Sequence, residues 1–261
     1  MTADRAPQES GGDLEAEHRL AEKLAAEAGR GLMALRARSS GGKQLGKEGD
    51  RWSHHLLLRR LGEHVPDDAV RSEESEHTEL VDGANRLWIV DPLDGTREFS
   101  EGREDWAVHV ALALDGVAAV GAVALPALDT VLTTGAPPQL DEPETPPRIV
   151  VSRTRPPEFV PDVAERVGAV TVEMGSAGAK IAAVIRGEAE IYVHAGGQYE
   201  WDSCAPVAVA LAAGLHASRL DGSPLRYGQP EPWLPDLLVC HPSLTPSVMD
   251  ALGAAGALAS E

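Results

Sequence analysis

Apolar residues recur at helical spacing near the start of the chain and then change to the spacing of strands. Leucines and alanines three or four residues apart predict a helix from Asp13 to about residue 35, and a Gly/Ser/Lys-rich stretch at 39–49 interrupts the pattern. A second helix is predicted to begin near Asp50. From Trp106 to Leu114 apolar residues alternate strictly with small residues or His109, and a second apolar run to Leu125 follows an Asp-Gly pair, which predicts a β-hairpin.

The remaining pattern predicts sheets layered with helices, α+β in the first part and α/β in the second. Further strands are predicted at 68–70, 87–90, 130–134, 149–151, 170–172, 190–193, 215–218 and 237–240, and helices at about 158–167, 177–187, 203–213 and 246–254. The Pro- and acid-rich segment 135–147 is typical of a linker or long loop. The predicted division is a mobile polar tail at 1–13, an N-terminal subdomain at 14–140 and a C-terminal subdomain at 141–261.

The chain is acidic, with a net charge of −18 over 261 residues and a pI near 4.8. Such a surface repels nucleic acid polymers, so an anionic ligand would need a local reversal of the field, for which a bound metal is the first candidate. The most apolar stretch, 106–128, is interrupted by polar residues and a proline and predicts strands rather than a membrane span. Without a signal-peptide pattern we expect a cytoplasmic protein. Cys204 and Cys240 are predicted to be small core residues in a reducing compartment.

A first candidate site is the segment DPLDGT, which directly follows the apolar run 87–90. Pro92 holds Asp91 extended, the turn returns Asp94 to its side, and Gly95 lets the backbone approach a ligand closely. Two carboxylates on one turn repel each other unless a cation lies between them, and Mg²⁺ prefers oxygen ligands. The segment therefore favours a magnesium site, with a plain acidic turn as the alternative.

Two further acidic motifs are weaker when taken alone. An acidic pair such as Glu73-Glu74 is more often part of a solvated loop than of a site, and Asp202 of Glu200-Trp201-Asp202 is more often a helix cap. In their order, however, SEE, WIVDPLDGT and EWDSCAP strongly resemble the inositol monophosphatase superfamily of Mg²⁺-dependent, Li⁺-sensitive phosphatases. The resemblance runs over nearly the whole chain.

Other segments indicate which branch of this superfamily the chain resembles most. DGT followed by Arg97-Glu98-Phe99 is similar to the bisphosphate nucleotidases that act on 3′-phosphoadenosine 5′-phosphate in sulfate assimilation. GREDWAVHVAL, GSAGAK, HAGGQYEWDS and HASRLDGSPLRY resemble the actinobacterial CysQ-type members. The resemblance implies a layered αβαβα sandwich of the inositol monophosphatase/fructose bisphosphatase type. It also implies a small-molecule phosphate substrate, with 3′-phosphoadenylyl sulfate as a second one, and it leaves a homodimer open.

The resemblance further implies roles for single residues around two or three Mg²⁺ ions. One ion would be held by Glu73, Asp91 and the carbonyl of Leu93, and a second by Asp91, Asp94 and Asp202. The implied catalytic residues are Asp50, Glu73 and Thr96, with Asp50 and Thr96 polarising the water for in-line attack. Substrate contacts are implied for Glu73, Leu93, Asp94, Gly95, Thr96, Gly175, Ser176, Glu200 and Asp202, and Lys180 is added from its spacing.

A second phosphate would need further cations. Lys180 lies four residues after Ser176 and so on the same helix face, where it would act with Arg97, Arg219 or Arg226; the alternative is that these are solvated surface charges. The segment GKQLGKEGD that ends in Asp50 departs from the D-x-V-T-x-A-D pattern usual in the family.

Three functions are therefore compared. The first is a 3′(2′),5′-bisphosphate nucleotidase, and the second is an inositol 1-phosphate or fructose 1,6-bisphosphate phosphatase of the same fold. The third is a metal- or nucleotide-binding regulator without turnover, which the presence of every expected acid and of Thr96 disfavours.

Overall fold

The computed structural model describes residues 14–39, 41–75 and 83–258, and the tail predicted at 1–13 lies outside them. Within the described residues the helices are α1 (Glu15–Arg36), α2 (Lys43–His64), α3 (Thr96–Ser100), α4 (Val160–Val167), α5 (Ala177–Ile185), α6 (Glu200–Ala212) and α7 (Thr245–Ala254). The strands are β1 (Ala69–Ser72), β2 (Arg86–Asp94), β3 (Ala107–Leu114), β4 (Val117–Leu125), β5 (Thr130–Thr133), β6 (Arg148–Ser152), β7 (Val170–Met174), β8 (Ile191–Tyr199), β9 (His216–Ser218) and β10 (Trp233–Cys240).

Two five-stranded sheets carry the fold. The first has the order β1-β2-β3-β4-β5, with β1 parallel to β2 and the other pairs antiparallel. The second has the order β7-β6-β8-β10-β9, in which β10 runs antiparallel to both of its neighbours. The segment between Thr133 and Arg148, predicted as a linker or long loop, joins the two sheets without a helix or strand. The division into subdomains at about residue 140 stays a prediction.

Three apolar cores separate five layers. On β2, Trp88 and Val90 pack against α1 and α2, whereas the alternate residues Leu87 and Ile89 enter a second core with α5 and α6. The inner face of the second sheet closes that core, and its outer face packs against α4 and α7. Because side chains alternate across a strand, each sheet can bury both faces in this way. The predicted αβαβα sandwich is confirmed.

The hairpin is also confirmed. β3 and β4 are joined by Asp115 and Gly116, whose φ angles of 49° and 79° are those of a tight two-residue turn. Cys204 and Cys240 are buried and free, as expected of core residues. None of the helices formed by the described residues combines the length and apolar character that crossing a bilayer requires.

The start of the second helix is predicted wrongly. α2 begins at Lys43, so Gly46 and Gly49 of the supposed interruption lie inside the helix and are buried, whereas Gly41 and Gly42 precede it. A Cβ at Gly46 would lie 2.8 Å from Thr96 Cγ2, and one at Gly49 would lie 3.0–3.1 Å from three neighbouring side chains. These glycines allow α2 to pack closely against its neighbours instead of ending the helix. Asp50 therefore lies within α2 and not at its start.

Three other boundaries differ from the prediction near the C-terminal motifs. α6 begins at Glu200 instead of residue 203, and β8 continues through two glycines to Tyr199. β10 begins four residues early, at Trp233, because the register shift between Leu234 and Asp236 accommodates the proline between them. The extended ends of β8 and β10 border the site described next.

Candidate active site

The DPLDGT segment forms the end of β2 and the turn into α3. The pairing of β2 with β3 shifts between Asp91 and Asp94, which displaces the backbone between the two carboxylates. Asp91 Oδ1 accepts a hydrogen bond of 3.0 Å from the Leu93 amide. Gly95 then turns the chain in the left-handed region, where a Cβ would lie 3.0 Å from Ser176. The local sequence thus brings both aspartates to one point.

Asp202 joins them from the first turn of α6. Its Oδ2 accepts a hydrogen bond of 2.7 Å from the Tyr199 amide, so the helix-cap contact considered from the sequence is present. Oxygen atoms of Asp91, Asp94 and Asp202 nevertheless lie within 4.8 Å of one another. The cap contact fixes the carboxylate in place and leaves its other oxygen for the cluster.

The Asp94 carboxylate also receives the start of α5. Ser176 Oγ and the Gly178 amide each donate to Oδ2 at 2.5 Å, and the Ala177 amide donates to Oδ1 at 3.2 Å. A carboxylate at the start of a helix meets the positive end of the helix dipole. Through these hydrogen bonds Asp94 connects β2 of the first sheet with α5 of the middle helical layer. Ser176, a predicted substrate contact, thus lies beside the cluster.

Asp50 and Thr96 lie together beside this cluster. The Thr96 hydroxyl lies 2.9 Å from Asp50 Oδ2 and 3.1 Å from the carbonyl oxygen of Leu93, and it donates to these acceptors. Asp50 is 8% exposed, and its Oδ1 has no hydrogen-bond partner within the described residues. An unpartnered buried carboxylate oxygen indicates a missing ligand.

Glu73 follows directly after β1, and its amide donates to the carbonyl of Val90 on β2 at 3.4 Å. Its carboxyl shares a hydrogen bond with Asp91, although the side chain keeps solvent contact and lies outside the group of three aspartates. The structure thus places Glu73 at the edge of the cluster.

Burial and mutual repulsion raise the pKa values of Asp50, Glu73, Asp91 and Asp202. Burial, and then the charges of Glu73 and Asp94, hold the pKa of Asp91 well above its usual range. Desolvation and the charge of Asp94 raise the pKa of Asp202 to about 7, and desolvation and the charges of Asp50 and Asp202 raise that of Glu73 to about 8. Desolvation, opposed by the Thr96 hydroxyl, raises the pKa of Asp50 to about 6.

This arrangement fits a hard divalent cation. The donors are carboxylate oxygens, they converge from β2 and α6, and one buried oxygen nearby has no partner. A bound cation would favour the charged forms that burial now disfavours. The carbonyl oxygen of Leu93 already accepts from Thr96 and lies in the same turn.

A cavity of about 940 Å³ opens beside the cluster. It is bordered by Gly175, Ser176 and Asp202, by the loop between β6 and α4, and by the ends of β8 and β10. The Gly175 amide is bound to Asp105 at 2.6 Å. Lys180 is 5% exposed, and its ammonium donates to the carbonyls of Gly175 and Ser176. Burial lowers the Lys180 pKa.

Of the three arginines considered for binding a second phosphate, only Arg97 borders the cavity. Arg97 borders the cavity but is paired with Glu101 at 2.8 Å. Arg219 is paired with Asp236, and neither Arg219 nor Arg226 is among the residues that border the cavity. The sequence missed Arg153 and Arg155 on the loop after β6, because basic residues beside prolines are typical of any solvated loop.

Glu200 occupies a different environment from the one expected. Its carboxylate is fully buried, lies 2.5 Å from Arg71 Nη1, and accepts the Gln229 amide at 2.9 Å. Arg71 Nη2 donates to the Gln229 carbonyl at 2.8 Å. Both oxygens of Glu200 are thus engaged in the protein interior, and Glu200 is not among the residues that border the cavity. Its role at the substrate stays a prediction, and the structure gives it a structural ion pair.

His109 is a site residue that the sequence analysis did not identify. It is 1% exposed on β3, its Nδ1 lies 2.9 Å from the Trp201 carbonyl, and its Nε2 lies 3.4 Å from Asp94 Oδ2. The only signal was a histidine on a strand face otherwise made of small residues. It connects the first turn of α6 with Asp94.

Comparison with known proteins agrees with this geometry. A model described as the inositol monophosphatase family matches residues 12–252. A Mycobacterium bovis protein named 3′-phosphoadenosine 5′-phosphate phosphatase is 52% identical over 221 residues, which cover 80% of this chain and 82% of that protein. The 3′(2′),5′-bisphosphate nucleotidase CysQ of Escherichia coli is 31% identical over 195 residues, covering 70% and 79%.

Solved structures show the same fold. CysQ from Bacteroides thetaiotaomicron superposes with a TM-score of 0.76 at 24% identity and covers 87% of this chain and 97% of that one. Mycobacterium tuberculosis SuhB superposes with a TM-score of 0.73 at 23% identity, covering 94% and 98%.

Proposed function

Because the chain belongs to the inositol monophosphatase family, we propose that it removes the 3′-phosphate of 3′-phosphoadenosine 5′-phosphate. The products are AMP and inorganic phosphate, and the same reaction would serve 3′-phosphoadenylyl sulfate. The observation that carries the proposal is the convergence of Asp91, Asp94 and Asp202 beside a hydrogen-bonded Asp50 and Thr96. The names of the relatives at 52% and 31% identity support the nucleotide substrate.

We propose Mg²⁺ as the cation, held by Asp91, Asp94 and Asp202, with Glu73 and the Leu93 carbonyl completing the ligand set. When bound, it would neutralise phosphate charge and lower the pKa of a water molecule, as divalent ions do in phosphatases. An acidic protein cannot otherwise bring a phosphate dianion to a cluster of carboxylates, since like charges repel.

Asp50 and Thr96 would position the attacking water. Thr96 Oγ1 donates its proton to Asp50 Oδ2, which leaves an oxygen lone pair that can accept a hydrogen bond from water. A water held in this way can attack in line with the leaving 3′-oxygen. The amides of Gly95 and Thr96 begin α3 and would contact the phosphate oxygens.

The 5′-phosphate would be bound by the cations of the cavity. Within the described residues, Arg155 is the cavity arginine without an ion-pair partner, whereas Arg153 is bound to Glu98 at 2.7 Å. A guanidinium that is free in the unliganded protein can form a bidentate pair with phosphate without breaking an existing contact. We therefore assign the 5′-phosphate first to Arg155, with Lys180 contributing long-range attraction.

The test is phosphate release from the purified protein with Mg²⁺. We expect kcat/KM for 3′-phosphoadenosine 5′-phosphate to exceed that for inositol 1-phosphate and fructose 1,6-bisphosphate at least about a hundredfold, or 2.7 kcal/mol. The Asp91→Asn variant, prepared identically, controls for contaminating phosphatases. A preference for either sugar phosphate would overturn the nucleotide assignment, and absence of turnover on all three would favour a non-catalytic binding protein.

A further inference from the structure

The loop between β6 and α4 carries Arg155 on a turn whose backbone is held by hydrogen bonds. Ser152 Oγ accepts the amide of Thr154 at 3.4 Å and the amide of Arg155 at 3.2 Å. The amide of Arg153 donates to the carbonyl of Met174, at the end of β7, at 3.1 Å. The turn is therefore fixed at both of its ends without help from a ligand.

The side chain of Arg153 connects this turn with α3. Its Nε donates to Glu98 Oε1 at 2.8 Å, and its Nη2 lies 2.7 Å from the same oxygen and 2.9 Å from Glu101 Oε2. Glu98 is 7% exposed, whereas the Glu101 side chain is 39% exposed. Because solvent weakens the outer contact, the Glu98–Arg153 pair is the main connection between the loop and α3.

Glu98 is itself fixed by the residues around the site. A Cβ at Gly175 would lie 2.5 Å from Glu98 Cδ, so the carboxylate occupies the space beside this glycine. The Gly175 amide is in turn held by Asp105. Glu98 also lies on the short helix that begins with Thr96. It thus stands between the start of α3 and the turn that carries Arg155.

A carboxylate in this place needs a reason, because the cavity has to admit an anion. Glu98 borders the cavity, where its negative charge repels a second phosphate. Attraction is supplied by other groups: burial lowers the pKa of His194 at the cavity, and the nearby charges of Lys180 and Arg155 lower it further, so both cations reach this region. The contribution of Glu98 must therefore come from what it holds in place, which is Arg153.

We propose that Glu98, acting through Arg153, positions Arg155 for the 5′-phosphate and thereby sets the preference for a substrate with two phosphates. Glu98 and Arg153 are positioning residues, and neither contacts the reacting phosphate. This inference rests on the proposed function and deepens it. It also gives a role to one residue of the Arg97-Glu98-Phe99 segment, by which the sequence resembles the bisphosphate nucleotidases.

Charge and position predict opposite effects of one substitution. Glu98→Gln removes a negative charge beside the cavity, so on charge alone kcat/KM for 3′-phosphoadenosine 5′-phosphate should rise. If Glu98 positions Arg155, kcat/KM should instead fall about tenfold or more, mainly through KM, because the contact with the remote phosphate is weakened. Glu158→Gln is the matched control. Glu158 is exposed on the same loop and borders the same cavity, so this variant should keep or raise kcat/KM.

Adenosine 3′-phosphate, which lacks the 5′-phosphate, separates positioning from damage to the fold. Glu98→Gln and Arg155→Met should each hydrolyse it with kcat/KM within about twofold of the wild type. On the bisphosphate, the double variant should lose no more than Arg155→Met alone, because both substitutions remove one interaction. Equal losses on the two substrates, a rise on the bisphosphate, or additive losses in the double variant would each overturn the inference.

A second variant covers a failure of Glu98→Gln to fold, which circular dichroism would detect. Arg153→Gln breaks the same pair from its more exposed side, where the Arg153 side chain is 19% exposed. It should show the same loss on the bisphosphate and the same near-normal turnover of adenosine 3′-phosphate. A loss on both substrates would again contradict a positioning role.

Calorimetry with AMP and adenosine distinguishes this inference from the proposed function. The wild type should bind AMP more tightly than adenosine, and Glu98→Gln should lose most of that difference. If this pattern were found in a protein that does not hydrolyse the bisphosphate, the substrate assignment would be wrong and the positioning role would stand. If the wild type hydrolysed the bisphosphate and Glu98→Gln kept its kcat/KM, the function would stand and the positioning role would be wrong.

Discussion

The buried pair of Arg71 and Glu200 offers a sharp test, because sequence and structure assign Glu200 different roles. Arg71 and Glu200 are 2% and 0% exposed, and three short contacts join them to each other and to the Gln229 backbone. Glu200→Gln would keep the shape but leave the guanidinium buried without its counter-charge. Breaking one side of such a pair costs about 3–5 kcal/mol.

The expected effect is on stability. For a chain of this length that loss corresponds to a Tm lowered by roughly 5–9 °C, measured by circular dichroism with Mg²⁺ held constant. The matched control is Glu63→Gln, which removes two surface ion pairs of Glu63, one with Arg59 and one with Arg60, whose side chains are 63% and 32% exposed. Exposed ion pairs contribute about 0–1 kcal/mol to stability, so the Tm of the control variant should scarcely change.

Steady-state kinetics on the same variant decide between the two roles. If Glu200 acts through the ion pair, the KM for the nucleotide should change little in protein that is still folded. A Tm unchanged within about 1 °C together with a KM raised tenfold, about 1.4 kcal/mol, would refute the structural role and restore the predicted sugar contact. The double variant Arg71→Met/Glu200→Leu should recover much of the lost stability, because it removes both buried charges.

Three further predictions concern the carboxylate cluster. Asp91→Asn should lower kcat about 10³-fold or more while raising the Tm in chelator, because it removes a buried repulsive charge; near-normal turnover would contradict the ligand assignment. Without metal, the raised pKa values of Asp91 and Asp202 mean that the folded state binds more protons than the unfolded chain, so these groups lower the free energy of unfolding as the pH rises from about 4 to about 7. Since Mg²⁺ binds the deprotonated forms, the Tm gain on adding Mg²⁺ should increase between about pH 5.5 and 8, and a constant gain would count against the cluster as the binding site. Gly178→Ala would place a Cβ 1.9 Å from His109 Nε2 and should weaken Mg²⁺ binding about tenfold or more by calorimetry, whereas Gly62→Ala, which meets nothing within 4 Å, should not.

The sequence predicts the cluster well because its main parts are local. Asp91, Asp94 and Thr96 lie on one turn, so a strand end followed by Asp-Gly-Thr is enough to bring them together. The helical start of α2 could not be read in the same way. Glycines such as Gly46 and Gly49 are typical of a segment that ends a helix. Only the close approach of α3 shows that they are packing positions inside α2.

The outer wall of the cavity at the ends of β8 and β10 was beyond a sequence argument for a different reason. It forms through the antiparallel pairing of β8 with β10, whose register depends on the shift between Leu234 and Asp236. A change of one residue in that register would turn alternate side chains to the other face. Likewise, Glu200 stands in a motif that predicts a substrate contact, and its partner Arg71 is 129 residues away.

The carboxylates and the outer cavity walls come from different elements of the fold, and this separation has an evolutionary consequence. The carboxylates of the cluster come from α2, the loop after β1, the end of β2 and the start of α6, whereas the outer walls of the cavity come from the β6–α4 loop and the ends of β8 and β10. Mutations in those outer segments can therefore alter which phosphate ester enters without disturbing the groups that cleave it. Exchange of these segments between relatives of this fold is thus a direct route to enzymes with new substrate preferences.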